Sequence, residues 1–462
     1  MRSSPFSVSP TADAASTAGR LHDAAGEVSG AATVAAFFAA NTIARWLVRS
    51  DSWILFFLVT KPLVDLTWRW KLFSGFEQEV NIQTVVGLLV LAMNGIAFLA
   101  GPRNSRLPRI VLIFLVCAMF SVAATPSSLA LNELLRLLAG ITFFYTAGRL
   151  LADPDRFHRF ARLFVLISSV PLFLGFLQLA GVFPYDYWDW IDGVLVGRLS
   201  GTYPTPLSLV YLLIYAVPLA LYLLNCKSSG SMRRGIAWIF LAAAAIGLVF
   251  TYHRAGYIVI ALEVMLWLYL AKGHKHALAL LICLGILVFF SLGALKLFYG
   301  QALSDSGEVD SEFLRGRGFQ WYLFVNSIYT SGPFHWVFGN GGSVIANVDP
   351  YAATILSPDE AHDDFIRILH AYGVLGLVLY VSILVEFIRK AIRGLRSDYP
   401  FARSIAMVML PVIVAVILLS ITTEPSRYPS GVWYLFALGS ALFCVQDGQG
   451  RAGAVRESGP RP

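Results

Sequence analysis

Runs of about 17 to 23 predominantly apolar residues recur along this chain, and no other feature constrains its fold as tightly. A helix needs about 20 apolar residues to cross the hydrocarbon core, where every backbone N–H and C=O must be paired within the segment. By that rule spans fall near 52–68, 81–100, 108–124, 128–150, 162–183, 206–225, 236–252, 255–272, 277–299, 372–389, 402–422 and 430–446. The expected fold class is therefore all-α, a polytopic integral membrane protein of about 12 transmembrane helices. Composition agrees: 57% of residues are hydrophobic and 14% charged, whereas a soluble domain is nearer a quarter charged. The cysteines Cys117, Cys226, Cys283 and Cys444 lie in or beside apolar runs with no metal-ligand spacing. They read as small buried hydrophobes.

The net charge of +7 speaks to orientation rather than to nucleic acid, because Lys and Arg gather in cytoplasmic loops. With the N-terminus inside, those loops hold Arg103, Arg106 and Arg109, then Arg149, Arg156, Arg159 and Arg162. Lys227, Arg233, Arg234, Lys272, Lys275, Arg389, Lys390, Arg393, Arg396 and Arg403 follow on the same side. The opposite face is longer yet poorer in cations, with Arg69, Lys71, Arg198, Arg254, Arg315, Arg317, Arg367 and Arg427. Residues 1–50 are expected to comprise a disordered cytoplasmic tail over the first 30 or so residues, without an apolar h-region, and an interfacial helix at 31–48. Residues 51–299 then carry nine spans, 300–371 a large extracytoplasmic loop, 372–446 three more spans, and 447–462 a second tail. No internal repeat points to a duplicated transporter.

The large loop contains "FQWYLFVNSIY", which reads as an amphipathic interfacial helix. Arg198, Arg254, Arg317 and His362 all fall on this cation-poor side. A guanidinium binds phosphate in bidentate fashion, so several at headgroup depth suit an anionic lipid head such as a diphosphate. A histidine titrates near neutrality and suits a general base. Each residue also has a bland reading. Arg254 can snorkel at a helix end. Arg198 can pair with Asp186, Asp189 or Asp192. Arg317 can be a solvated loop charge, with Arg315 its rival in "LRGRG", and His362 taken alone reads more readily as a structural or surface residue. "GNGG" at 339–342 reads as a turn, since no strand or Lys-Ser/Thr makes it a phosphate loop. Within the spans, Lys61 and Asp65 sit four apart and are expected to pair, Glu133 and Arg136 form a similar case, and Glu263 stands in a third.

The stretch "HDDFIRILHAYGVLG" resembles the signature of the bacterial O-antigen ligases and O-antigen polymerases: a histidine, a neutral polar residue, nine residues, then Gly-x-x-Gly. Here His362 and Asp363 precede Gly373 and Gly376 at that spacing, with Asp363 departing from the usual neutral residue. "HRAGYIVIAL" is similar to the family's Ser-Arg-Gly-Ala stretch, with Arg254 at the arginine position and His253 in place of serine. "GRLSGTYPTPLSLVYLLIYAVPL" resembles the segment that puts Arg198 at a second arginine position. "RGRGFQWYL" through "GPFHWVFGNGG" resembles the large-loop pattern. The likeness covers roughly residues 195–390.

That resemblance implies a GT-C-like membrane enzyme of the bacterial inner membrane with its active site on the periplasmic face. It implies a metal-independent, inverting glycosyl transfer with no cofactor. The donor would be an undecaprenyl-diphosphate-linked oligosaccharide and the acceptor a glycan or lipid A-core. A chain-length regulator and a flippase would be further protein partners. Arg198 and Arg254, with Arg317 more loosely, would bind the diphosphate. His362 would be the base, and Asp363 or Asp364 would orient it, with Asp363 the one assigned that part. The expected activity is polymerisation of repeat units into an O-antigen, capsule or exopolysaccharide. A ligase acting on lipid A-core is the alternative, and a transporter of lipid-linked sugar is the alternative from another class.

Overall fold

The computed structural model describes residues 51–67, 71–75, 78–100, 109–191, 194–201, 203–226, 231–273, 317–342, 362–425 and 428–457. Of these, 83% are helical, in 13 helices. The first eight are α1 (Asp51–Leu66), α2 (Ile82–Ala100), α3 (Arg109–Ala124), α4 (Ser128–Leu151), α5 (Pro154–Leu179), α6 (Pro206–Asn225), α7 (Ser231–Phe250) and α8 (Arg254–Lys272). Two short helices follow, α9 (Arg317–Thr330) and α10 (Pro333–Phe338), then α11 (Asp364–Leu395), α12 (Pro400–Ser420) and α13 (Pro429–Glu457).

Six segments are long and apolar enough to cross a bilayer: Ala130–Leu151, Pro154–Leu179, Pro206–Asn225, Arg254–Lys272, Asp364–Leu395 and Pro400–Ser420. Shorter apolar helical segments occupy Ile82–Gly95, Arg109–Ala124, Arg234–Phe250 and Gly431–Gln446. Each expected span falls on a helix except that at 277–299, which lies outside the described residues, as does the interfacial helix at 31–48. The span expected from residue 162 belongs to a helix that starts at Pro154. Asp153 caps it by accepting from the Arg156 amide, and Pro154 stands at its first position, so the polar turn before the apolar run is helical as well.

Contacts at the helix ends define one end of the bundle. Arg367 of α11 bonds Glu133 of α4, and Ser420 at the end of α12 bonds Asp364 at the start of α11. The Glu424 amide donates to the Tyr211 hydroxyl of α6. α4 and α13 pack along much of their length, with Gly140 against Val432 and Gly148 against Ser440. Small residues allow such backbone approach where the hydrophobic effect between helices is weak. α6 is the most enclosed span, at 83% burial, packed against α5, α7, α8 and α12.

Two antiparallel hairpins occupy links at this end: β1 (Lys71–Gly75) with β2 (Gln78–Asn81), and β3 (Tyr187–Ile191) with β4 (Val194–Arg198). The second carries Tyr187, Trp188 and Trp190 on its first strand.

α11 is broken at Gly373, whose φ of 68° is left-handed. The break takes carbonyls out of the helical ladder, and they must find other donors. The amides of Asn340 and Gly341, in the "GNGG" turn, donate to the carbonyls of His370 and Ala371 at 2.8 and 2.9 Å. The Ser121 hydroxyl of α3 donates to Ala371 as well, at 2.7 Å. A Cβ at Gly373 would strike the Val337 carbonyl. The glycine is therefore what lets α10 lie across the break. "GNGG" is a turn, as expected, and its work is to cap a broken helix.

Candidate functional site

His362 immediately precedes α11. Its φ is +51°, and Tyr252, also at +51°, is the only other non-glycine with positive φ among the described residues. That backbone costs about 1–3 kcal/mol and persists only where surroundings hold it. At His362 the holder is Glu424, whose Oε1 accepts from the His362 amide at 2.9 Å. Glu424 is itself 4% exposed. It lies in the short "TTEPSRY" link between α12 and α13, and Glu424 was not among the expected site residues. A carboxylate in that otherwise acid-free link was the signal available.

Asp363, expected to orient the histidine, has a structural task at the start of α11. Its Oδ1 accepts from the Ile366 amide at 2.9 Å, which makes it the N-cap of α11. Burial raises its carboxyl above the usual aspartate range, the backbone N–H groups of Ile366 and Phe365 oppose this, and the Asp364 charge adds to it.

Asp364, fully buried, belongs to an ionic cluster. Arg367 donates from Nε to Asp364 Oδ1 at 3.3 Å and from Nη1 to Glu133 Oε2 at 3.2 Å. The Ser420 hydroxyl donates to the other Asp364 oxygen at 3.3 Å. Glu133 thus engages α11 across the bundle. Lys61 and Asp65 do pair within α1, and the Lys61 ammonium lies 5.0 Å from the Trp433 ring centroid. Both oxygens of Glu263 are buried with no hydrogen-bond partner among the described residues.

Arg198 and Arg254 come together at one turn. Arg198, at the end of β4, donates from Nε to the Thr251 carbonyl at 2.8 Å and from Nη1 to Asp189 at 3.0 Å. Its guanidinium lies 5.3 Å from the Tyr187 ring centroid. The Asp189 partner is one of the three foreseen. The Thr251 turn continues through the strained Tyr252 to His253, which caps α8 by accepting from the Gly256 amide at 3.0 Å. An accepting Nδ1 places the proton of the neutral ring on Nε2. Arg254, the first residue of α8, is exposed. Arg317 is the first residue of α9.

A cavity of about 420 Å³, within the size range of ligand sites, opens between α1, α2, α4 and α6, and His362, Arg198 and Arg254 are not among its lining residues. Its polar wall includes Lys61, Asp65, Asn132 and Arg136, and its aromatic wall Tyr203, Tyr428 and Trp433. Tyr428 packs on Tyr211 at 4.8 Å between ring centroids, and Tyr211 holds the Glu424 that holds His362. Arg136 also lines a small pocket with Glu133 and Arg367.

No protein-family model matches the chain, and no curated protein matches it.

Proposed function

We propose that the chain is a membrane glycosyltransferase of the O-antigen polymerase and ligase type, polymerising repeat units carried on undecaprenyl diphosphate. One observation carries the reading. The two non-glycine residues with left-handed backbones among those described are His362 itself and Tyr252, two residues before Arg254. Strain of this kind collects at functional sites, and it falls in the two stretches whose chemistry suits base and diphosphate.

In this reaction Arg254 and Arg198 hold the diphosphate of the donor. Arg254 does so at the N-terminus of α8, where the helix dipole favours an anion. Arg198 has its Nε and Nη1 committed, which fixes its plane, and Nη2 remains for an oxygen. The acceptor hydroxyl loses its proton to His362, and its oxygen attacks the anomeric carbon as the bond to the diphosphate breaks. Attack opposite the leaving group inverts the configuration. The lipid diphosphate departs with the electron pair, and the proton passes from His362 to water. The polyprenyl chain stays in the bilayer beside the helices, and the site faces the periplasm.

A transporter of lipid-linked sugar is the second reading, and Glu263 carries it, because it is an ionisable side chain inside a span with no hydrogen-bond partner among the described residues, and such groups often mark a transport path.

The test is the purified protein with a lipid-diphosphate-linked repeat unit, EDTA and no other acceptor, run beside His362→Ala and Arg254→Ala. A ladder of longer lipid-linked glycans, lost in both variants, is expected. Transfer only after lipid A-core is added makes the protein a ligase. No transfer to either acceptor, with the lipid-linked sugar changing leaflet in liposomes, overturns the enzyme reading.

A further inference from the structure

We infer that a groove at the opposite end of α11 from His362 binds the headgroup of an anionic phospholipid. The inference is independent of the glycosyltransferase reading. α11 has 32 residues, and it changes character along one face. Val381, Val385, Arg389 and Arg393 follow at intervals of four, so they stack one above another on the helix. Two turns of that stripe are apolar and the next two are cationic. Val381 and Val385 are 40% and 38% exposed, on a helix apolar enough to cross a bilayer.

The stripe forms one wall of an open groove of about 710 Å³. Arg109, at the start of α3, and Lys390 add two further cations, against one carboxylate, Glu386. Glu386 does little to neutralise them. Its oxygen stands 4.0 Å from Arg389 Nη1, and the Arg389 side chain is 66% exposed, so the pair is weak. The far wall is Phe443 of α13, whose ring lies 4.6 Å from the Lys390 ammonium. Gln446 donates to the Lys390 carbonyl at 2.7 Å and fixes α13 to α11 there. The groove is thus built by three helices, with an apolar floor and a cationic mouth.

That sequence of surfaces matches an amphiphile rather than a soluble anion. Acyl chains lie along Val381 and Val385, and the phosphate meets Arg389 and Arg393 about 6 Å further along the helix. Basic pockets between spans recognise anionic headgroups in this way. A zwitterionic lipid offers the phosphate but brings its own cation into a mouth already positive, so it binds more weakly.

The test is native mass spectrometry of the full chain in detergent with phosphatidylglycerol, phosphatidylethanolamine or inorganic phosphate added. Wild type is expected to retain phosphatidylglycerol in preference to phosphatidylethanolamine. Arg389→Gln/Arg393→Gln is expected to retain it roughly tenfold less. Arg389→Lys/Arg393→Lys keeps the charge and is expected to restore most of the retention, which excludes misfolding as the cause. Equal retention of the two lipids by wild type overturns the inference, as does equal retention of phosphatidylglycerol by wild type and the double glutamine variant. Binding of inorganic phosphate without lipid preference assigns the groove to a soluble anion and overturns it too.

Discussion

The Glu424 carboxylate accepts from the backbone amide of His362 at 2.9 Å, and the Glu424 amide donates to the Tyr211 hydroxyl at 3.1 Å. The link after α12 thereby clamps the left-handed residue that precedes α11. Glutamine at 424 keeps an acceptor oxygen, whereas alanine leaves a part-buried amide unpaired, at about 1–3 kcal/mol. Glu424→Gln should retain near-wild-type thermal stability in detergent. Glu424→Ala should unfold earlier and lose about tenfold or more of its transfer rate as His362 drifts, about 1.4 kcal/mol per factor of ten. Unchanged transfer in Glu424→Ala would remove the clamp from the mechanism.

Arg367 neutralises two carboxylates at once, Glu133 and the fully buried Asp364. Removing one member of a buried ionic cluster leaves the others charged and unpaired, at about 3–5 kcal/mol. Arg367→Met should therefore lower thermal stability severely. Adding Glu133→Gln and Asp364→Asn should recover part of the loss, because the two acids that Arg367 bonds are then neutral and only the nearby Glu424 still loses a counter-charge. Arg367→Lys should fall between, since an ammonium lacks the fork that spans both acids.

The break in α11 makes Gly373 a conformational requirement. Alanine there meets the Val337 carbonyl and must hold a φ of 68°. Gly373→Ala should lose more than about 1 kcal/mol, the amount ordinarily gained when glycine is replaced where its φ is allowed. Gly95→Ala is the control. It lies inside α2 with nothing within 4 Å of its Cβ position, and it should be neutral or stabilising by up to about 1 kcal/mol. Differential scanning of both variants checks the pair.

The helices were legible from the sequence because bilayer thickness fixes a length and backbone pairing fixes a structure, and neither depends on distant contacts. Local chemistry was legible too, as with the Lys61 and Asp65 pair, the Asp189 partner of Arg198, and the turn at 339–342. What escaped was set by the third dimension. Glu133 and Arg367 are 234 positions apart, and no local spacing joins them. Glu424 meets His362 only because α12 returns to the end where α11 starts. The Gly373 and Gly376 pair was visible as a spacing, but the helix break appears only once α10 is laid across it. Asp363 was read for its charge beside a histidine, while its position before an apolar helix already carried the signature of an N-cap.

Asp363 gives a pH-dependent prediction with a definite sign. Burial raises its folded-state carboxyl above the ordinary value of 3.8, so the folded chain binds that proton more tightly than the unfolded chain. The contribution is fully favourable below the unfolded value and is lost as pH rises through the raised folded value. Asparagine at 363 caps a helix about as well and carries no charge. The melting temperature of Asp363→Asn relative to wild type should therefore rise as pH climbs from about 4 towards neutrality, and level off once wild type is ionised in both states. Asp363→Ala loses the cap at every pH, at about 1 kcal/mol. A difference between Asp363→Asn and wild type that grows towards acid instead would mean that the folded protein stabilises the carboxylate. The same variant examines the orienting role: asparagine keeps an oxygen for the Ile366 amide that Asp363 Oδ1 accepts from, so if capping is the task of Asp363, transfer by Asp363→Asn should stay within about a factor of two of wild type, and a far larger loss would assign the histidine's support to Asp363.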